Sequence, residues 1–191
     1  MDEVWKPLFE FPQYIISTYG DIVNTTNGRP VRQSKTLQGA LKVNLYDRGH
    51  QCTRSVKVLV ADTFVRKPRS MRFNSPIQKD NNPLNVRADN LLWRTRPFAW
   101  KYHEQFKVIA DNNIRRCSVI EVTEGVHYES VYDAAVDNGL LFIDIRKSAF
   151  LFSQRDPYPT VHPTGQVFSI HLKREPMREG IATLSQQGIN M

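Results

Sequence analysis

The most constraining feature of the sequence is a stretch dense in Asp and Asn, from Asp80 to Trp93, which reads DNNPLNVRADNLLW. Asp and Asn side chains hydrogen-bond to nearby backbone groups and so favour turns over regular helix or strand. We expect Asn85 and Asn90 to hold the loop and an adjoining helix in this way. Trp93 is expected to be a core residue. The stretch therefore predicts a compact unit whose loop is fixed by its own side chains.

The first part of the chain consists of short candidate strands separated by turns. Residues 14–17, Tyr-Ile-Ile-Ser, form one candidate strand, and residues 26–30 contain the strong turn signal Asn-Gly. Residues 41–46 alternate Leu, Val and Leu with Lys, Asn and Tyr, which is the period of a half-buried strand. Because little of this sequence favours helix, we predict a small β-rich module over residues 1–50.

Residues 51–96 are predicted to form a compact ββα unit. Within it, residues 54–65 begin as a strand and become a short helix from about Leu59. A basic loop follows at residues 66–72, and residues 77–93 carry the remaining strand and helix.

The rest of the chain is predicted to combine a hairpin with helices. Residues 97–114 are a connector with some helical character, and residues 115–173 hold the hairpin and the helices. Ser130 is the expected N-cap of a helix that ends at Gly139. Further predictions are a second helix over 144–152, a closing strand over 167–172 and a frayed tail over 174–191. The predicted fold class is α+β.

Three blocks of the sequence resemble the HNH homing endonucleases of phages and introns. The first joins the Trp-Lys-Pro-Leu of residues 5–8 to the Tyr-Ile-Ile-Ser-Thr-Tyr-Gly-Asp-Ile-Val-Asn of residues 14–24, and the second is Val-Lys-Val-Leu-Val-Ala-Asp-Thr-Phe-Val at residues 56–65. The third is the Asp80–Trp93 stretch. Residues 130–139 resemble the helix-turn-helix region of that family more weakly. The resemblance implies an HNH-like ββα core behind a small N-terminal module.

The departures from the family pattern fall on the residues that carry its chemistry. Without gaps, the catalytic histidine falls on Gln78, the metal-binding Asp or Asn before it falls on Ile77, and Lys57 replaces the first histidine. A Gln amide takes up no proton near neutral pH, and Ile offers no oxygen to a hard cation. Asn90 alone could still contribute one oxygen. Asp80 serves the turn in the family rather than catalysis. We therefore predict a non-catalytic protein with no metal site and no cofactor.

Two alternatives remain open at this point. The first is an active HNH-like DNA endonuclease with a rearranged site, in which His50 or His103 folds back to replace the missing histidine. The second is a protein-interaction module, such as an inhibitor of a host factor, whose basic face meets an acidic protein.

Positive charge is concentrated in one segment of the chain. Residues 29–96 hold 15 Lys and Arg against 4 Asp and Glu, whereas residues 101–191 hold 10 against 11. A basic surplus confined to one segment, rich in arginine, is typical of a surface that binds phosphates. The candidate nucleic-acid-binding residues are Arg29, Arg32, Lys35, Arg54, Lys57, Arg66, Lys67, Arg69, Arg72, Lys79, Arg87, Arg94 and Arg96.

These patterns predict a protein that binds a nucleic-acid backbone. The partner is structured RNA, ribosomal RNA included, or duplex DNA. We favour RNA slightly, because the helix-turn-helix candidate carries Asp133, Asp137 and Asp144 against only Arg146 and Lys147, a poor charge pattern for a DNA groove. The near-neutral C-terminal region could add a contact to a host protein.

The expected location is the cytoplasm, which is that of the host bacterium if a phage encodes the chain. The acidic N-terminus is unlike a signal peptide, and no apolar run approaches the roughly 20 residues that span a bilayer. Cys52 and Cys117 are the only cysteines, so neither a structural zinc site nor a disulfide is expected.

Overall fold

A computed structural model describes residues 2–107, 117–153, 160–161, 163–164 and 166–170 of the chain. Two antiparallel sheets occupy its N-terminal part. The first sheet contains, in chain order, β1 (Trp5–Pro7), β2 (Tyr14–Ser17), β3 (Ile22–Asn24) and β4 (Arg29–Pro30). The second contains β5 (Gln33–Lys35), β6 (Leu41–Asp47) and β7 (His50–Ser55). The β-rich character expected for this part of the chain is confirmed.

A helix, a hairpin and a second helix follow. These elements are α1 (Val56–Phe64), β8 (Phe73–Gln78), β9 (Leu91–Thr95) and α2 (Arg96–Gln105). Strands β8 and β9 pair antiparallel, with Gln78 opposite Leu91. Helix α1 begins at Val56, three residues before the predicted start.

The helix predicted within residues 77–93 is not formed. That segment contains only a 3₁₀ turn, Ala88–Asn90, before β9 pairs with β8. The helix of the ββα unit is instead α2, whose first turn contains Pro97, a residue with its φ already set for a helix start. Half of the predicted connector is therefore the third element of the unit.

One hydrophobic core joins the two N-terminal sheets to α1 and β9. Ile16, Leu45, Val60 and Trp93 are among its buried members. Gly20 lies in the turn between β2 and β3 with φ +95°, and a Cβ there would come within 2.5 Å of Val86 Cγ2. Glycine is thus required at this turn, both for its backbone conformation and for the close approach.

The C-terminal part has its own sheet and core. Its elements are β10 (Val119–Glu121), β11 (Val126–Tyr128), α3 (Val131–Asn138), α4 (Phe142–Ser153), β12 (Thr160–Val161) and β13 (Gln166–Ile170), with sheet order β11-β10-β13-β12. The predicted cap is confirmed, since Ser130 Oγ accepts a hydrogen bond from the Asp133 amide at 3.0 Å. Helix α3 ends at Gly139, whose φ is +59°. The predicted tail over 174–191 lies outside the described residues.

A small cluster joins the N-terminal core to the C-terminal one. Ile77, Ala99 and Tyr102 are its buried members, and Leu92 and Leu141 pack against them. The architecture is α+β, as predicted. Among the described residues, no helix has the length and apolar character that crossing a membrane would require.

Candidate nucleic-acid interface

The loop between β8 and β9 is held by a network of amide and carboxylate side chains. The carboxylate of Asp80 accepts hydrogen bonds from the backbone N–H of Asn82 (2.9 Å), from Asn90 Nδ2 (2.9 Å) and from Asn85 Nδ2 (2.6 Å). Asn90 Oδ1 accepts from the Asp80 amide at 3.2 Å, and Asn90 Nδ2 also donates to the Asn85 carbonyl. The loop-holding role predicted for Asn85 and Asn90 is thus observed. The oxygen of Asn90, expected to be available to a cation, is already engaged inside the loop.

The end of β8 is closed rather than open. Ile77 has 0% of its surface exposed and packs in the cluster that joins the two cores. Gln78 is 2% exposed, and its Nε2 donates to the Pro83 carbonyl at 3.2 Å. Ile77 and Gln78, two of the positions at which the resemblance places catalytic groups, therefore serve packing and loop closure.

The divalent cation implied by the resemblance does not fit these residues. Hard cations need several oxygen ligands with negative charge among them. The carboxylate of Asp80 already accepts three hydrogen bonds within the loop, Ile77 offers no ligand, and the Lys57 side chain brings a positive charge. Across the described ranges, no group of three or more His, Cys, Asp or Glu side chains is arranged to hold a metal ion.

One histidine does lie at this loop. His103, on α2, has its Nδ1 2.6 Å from Asn81 Oδ1, and Asn81 is in the left-handed region at φ +55°. Burial, followed by the nearby charge of Lys57, lowers the pKa of His103 below its ordinary value of 6.5. The imidazole is therefore neutral near pH 7, with Nδ1–H donating to Asn81 and Nε2 left as an acceptor.

Of the two histidines considered from the sequence as replacements, only His103 reaches the loop. His50 is exposed at the start of β7, opposite Asp47. The sequence alone does not show that His103 lies at the loop, because its position depends on the packing of α2 against β8. Tyr102 fixes that packing, since its hydroxyl donates to the Lys79 carbonyl at 2.6 Å.

Most of the predicted phosphate-binding cations are on the surface, and several of these have no ion-pair partner among the described residues. The exposed cations of this kind are Arg29, Arg32, Lys35, Arg66, Arg69, Arg72 and Arg96. Those from Arg66 to Arg72 share a single loop between α1 and β8. This basic loop, residues 66–72, carries three exposed arginines of this kind within seven consecutive residues.

Three other candidates are held by acidic or aromatic neighbours. Ion pairs join Arg54 to Glu10 (3.3 Å), Lys67 to Asp62 (3.5 Å) and Arg87 to Asp89 (3.0 Å). In addition, Lys67 Nζ lies 4.2 Å from the Trp93 ring centroid and the Arg87 guanidinium 4.3 Å from that of Tyr19. Such neighbours fix the cation in position and neutralise part of its charge. Lys57 and Lys79 are half-buried, and burial lowers the pKa of the Lys57 ammonium.

Arg94 must be removed from the predicted interface. Its side chain is buried, with 8% exposure for the residue, and it donates to the carbonyls of Asn138 (2.9 Å), Gly139 (3.2 Å) and Trp93 (3.0 Å). The first two carbonyls are at the end of α3, where the helix dipole is negative. Arg94 therefore clasps the C-terminal helices to the ββα unit instead of meeting phosphate.

Two known proteins are similar to about half of this chain. Over 94 residues, or 49% of each chain, the protein is 29% identical to the H-N-H endonuclease F-TflII of Escherichia phage T5. Over 89 residues, it is 34% identical to an uncharacterized HNH endonuclease of Acanthamoeba polyphaga mimivirus, which covers 47% of this chain and 26% of the relative. The predicted resemblance to HNH endonucleases is confirmed. The matched stretch spans about half of the phage relative's length and about a quarter of the mimivirus relative's.

A solved structure of the HNH homing endonuclease I-HmuI, which describes its DNA binding and cleavage, overlaps 88% of this chain and 98% of its own chain. The TM-score is 0.49 and the sequence identity is 20%. No protein-family model matches the chain.

Proposed function

We propose that this protein is a non-catalytic nucleic-acid-binding relative of the HNH endonucleases, which grips phosphate backbone through its exposed cations. The observation that supports this best is the closed end of β8, where Ile77 is in the core and Gln78 is bonded to Pro83. A group that could take a proton and a set of oxygens that could hold a cation are both replaced there. The HNH endonucleases that the chain resembles make nucleic acid the expected ligand.

Structured RNA, ribosomal RNA included, is the favoured form of that ligand, with duplex DNA as the rival. Helix α3 presents the exposed acids Asp133 and Asp137 to solvent, which disfavours its insertion into a DNA groove. The exposed cations in turn suit recognition of backbone shape rather than base sequence. The C-terminal part is left for contact with a host protein. The site of action would be the host cytoplasm.

The basic loop provides the test. A variant with Arg66, Arg69 and Arg72 all replaced by Ala removes three exposed charges, while Lys67, which covers Trp93, is kept. We expect about a 10- to 100-fold loss of affinity in gel-shift titrations, and a shallower salt dependence. The slope of log K against log salt should fall by about 2 to 3, because each phosphate contact contributes about 0.7 to 0.9.

The control replaces the same three arginines by lysine. It keeps the charge and should therefore keep most of the affinity and the wild-type salt slope, losing only bidentate contacts. Equal affinity and equal slope for the wild type and the Ala variant, with both folded by circular dichroism, would refute the role of this loop.

A second candidate function is strand cleavage that relies on His103. The specific observation in its favour is the neutral imidazole held by Asn81, with Nε2 left as a proton acceptor. Relatives named as endonucleases add weight to it.

Nicking of supercoiled plasmid, with and without Mg²⁺, separates the two candidates. His103→Gln is the informative variant and His50→Gln the control, since His50 is exposed and lies opposite Asp47 in the sheet of β6 and β7. Asn90 is a poor probe, because its loss would open the loop. Nicking by the wild type that is lost in His103→Gln alone would establish cleavage and refute the non-catalytic proposal. We expect no nicking by any of the three proteins.

A further inference from the structure

The solvent face of α2 carries a large aromatic side chain that the core does not use. Trp100 is 65% exposed, whereas its neighbours Ala99 and Tyr102 are buried in the cluster that joins the two cores. Trp93, by contrast, is 3% exposed. A large exposed indole contributes little to folding, and tryptophan is among the residues that most often anchor a ligand.

Two cations flank this indole. Arg96 is one helical turn before Trp100, so that the two share a face, and Lys101 follows directly. Both cations are exposed, and neither forms an ion pair with any described residue. The acid on this helix, Glu104, is occupied by Lys107 at 2.7 Å. The face therefore presents a ring together with the available charge of Arg96, and Lys101 lies on the adjoining side of the helix, about 100° around its axis.

The same face borders the loop at the closed end of β8. His103, one turn after Trp100, is bonded to Asn81 of that loop. This contact ties the helix in register with the loop, so the indole is carried on a fixed support. A rigid aromatic ring loses little conformational entropy when it binds.

From this juxtaposition we infer that Trp100 is a stacking platform for an unpaired nucleobase, with the adjoining phosphates held by Arg96 and Lys101. The inference rests on the proposed nucleic-acid binding and names the form of ligand, a single-stranded segment or an unpaired loop nucleotide. Bases inside a duplex are already stacked on each other, whereas an unpaired base offers both faces to an aromatic side chain. The charge of the two cations favours this occupant over an apolar protein segment.

The test compares single-stranded with double-stranded probes. A 12-nucleotide oligouridine lacks self-structure, and a 12-base-pair RNA duplex serves as its paired counterpart. In Trp100→Leu, a change that keeps apolar bulk and helix propensity, we expect about a 5- to 100-fold loss of affinity for oligouridine. Affinity for the duplex should change by less than about 2-fold, and Trp100→Phe should keep most of the oligouridine affinity, because it retains a ring.

Indole fluorescence supplies a readout that a structural role would not move. Oligouridine should quench the emission of the wild type, and the quenching should vanish in Trp100→Leu but persist in Trp5→Phe, the control that removes another partly exposed tryptophan. Thermal melts establish that each variant is folded.

The possible failures are distinguishable. Binding of oligouridine that is equal in the wild type and Trp100→Leu, without quenching, would overturn the platform and leave the nucleic-acid proposal standing. An equal loss for oligouridine and duplex would also overturn it, because the ring would then not select unpaired bases. A wild type that binds neither probe at low salt would overturn both proposals.

Discussion

The two sides of the carboxyl end of β8 have different roles, since one packs in an apolar cluster and the other holds a polar loop. On one side, Ile77 is packed among Ala99, Tyr102 and Leu92, and the C-terminal part of the chain covers it. On the other, Asp80 and its amide partners form a polar loop that is partly exposed to solvent. A carboxylate that fixes a loop is needed whether or not the protein cuts a strand. A side chain that serves only chemistry can be replaced by one that improves packing.

The strongest test of this contrast introduces a carboxylate on the buried side. We expect Ile77→Asp to lower the free energy of unfolding by about 4 kcal/mol or more, because it removes core packing and places an ionisable group where it has no partner. Urea denaturation followed by circular dichroism measures the loss. Asn74→Asp, at an exposed position of the same strand, is the control and should change stability by less than about 0.5 kcal/mol. A stable Ile77→Asp protein would mean that this side is open, and would revive a cation site there.

The next effect concerns the polar side. Asp80→Ala leaves Asn85 Nδ2 and the backbone N–H of Asn82 without their acceptor and removes one of the two acceptors of Asn90 Nδ2, so we expect a loss of about 2 to 3 kcal/mol. Asp89→Ala breaks only the half-exposed pair with Arg87 and should cost less than about 1 kcal/mol. The two variants are compared by denaturation at pH 7. Similar losses in both would show that the loop does not depend on its network.

The smallest expected effect is a pH dependence of stability. It originates at His103, which contacts Asn81 of the polar loop. Because the folded pKa of His103 is below its ordinary value of 6.5, the unfolded chain binds the proton more readily. The associated stability is therefore full above about pH 6.5 and is lost as the pH falls through the folded pKa. We expect the urea midpoint to fall less between pH 7.5 and pH 5 in His103→Gln than in the wild type. Identical pH dependence in both would show that His103 is accessible to solvent, against the contact with Asn81.

Local patterns in the sequence predicted much of the fold. The strand Tyr14–Ser17, the Ser130 cap and the Gly139 terminus follow from short-range chemistry, namely alternation, a hydroxyl acceptor and tolerance of a positive φ. The helix expected before Trp93 failed for the opposite reason. Residues 91–95 pair with β8, which lies on the other side of the Asp- and Asn-rich loop. The loop permits this pairing, but its local sequence does not predict it.

The candidate site was predictable to a similar degree. Motif spacing singled out Ile77, Gln78 and the loop residues, and the structure places them at one strand end. Counting charges could not separate Arg94 from Arg96, although one is buried and the other exposed. That distinction arises because Arg94 lies within β9, where it bonds to the carbonyls at the end of α3, whereas Arg96 is the first residue of α2 and is exposed.

The clasp formed by Arg94 has a consequence for how the molecule comes apart. Its guanidinium spans a gap of more than 40 residues in sequence and supplies donors to two carbonyls that would otherwise end a helix unpaired. Pulling the C-terminal helices away would break these two hydrogen bonds and expose the apolar side chains of Ile77 and Tyr102 to water at the same moment. Heat or denaturant should therefore melt both halves in one cooperative step.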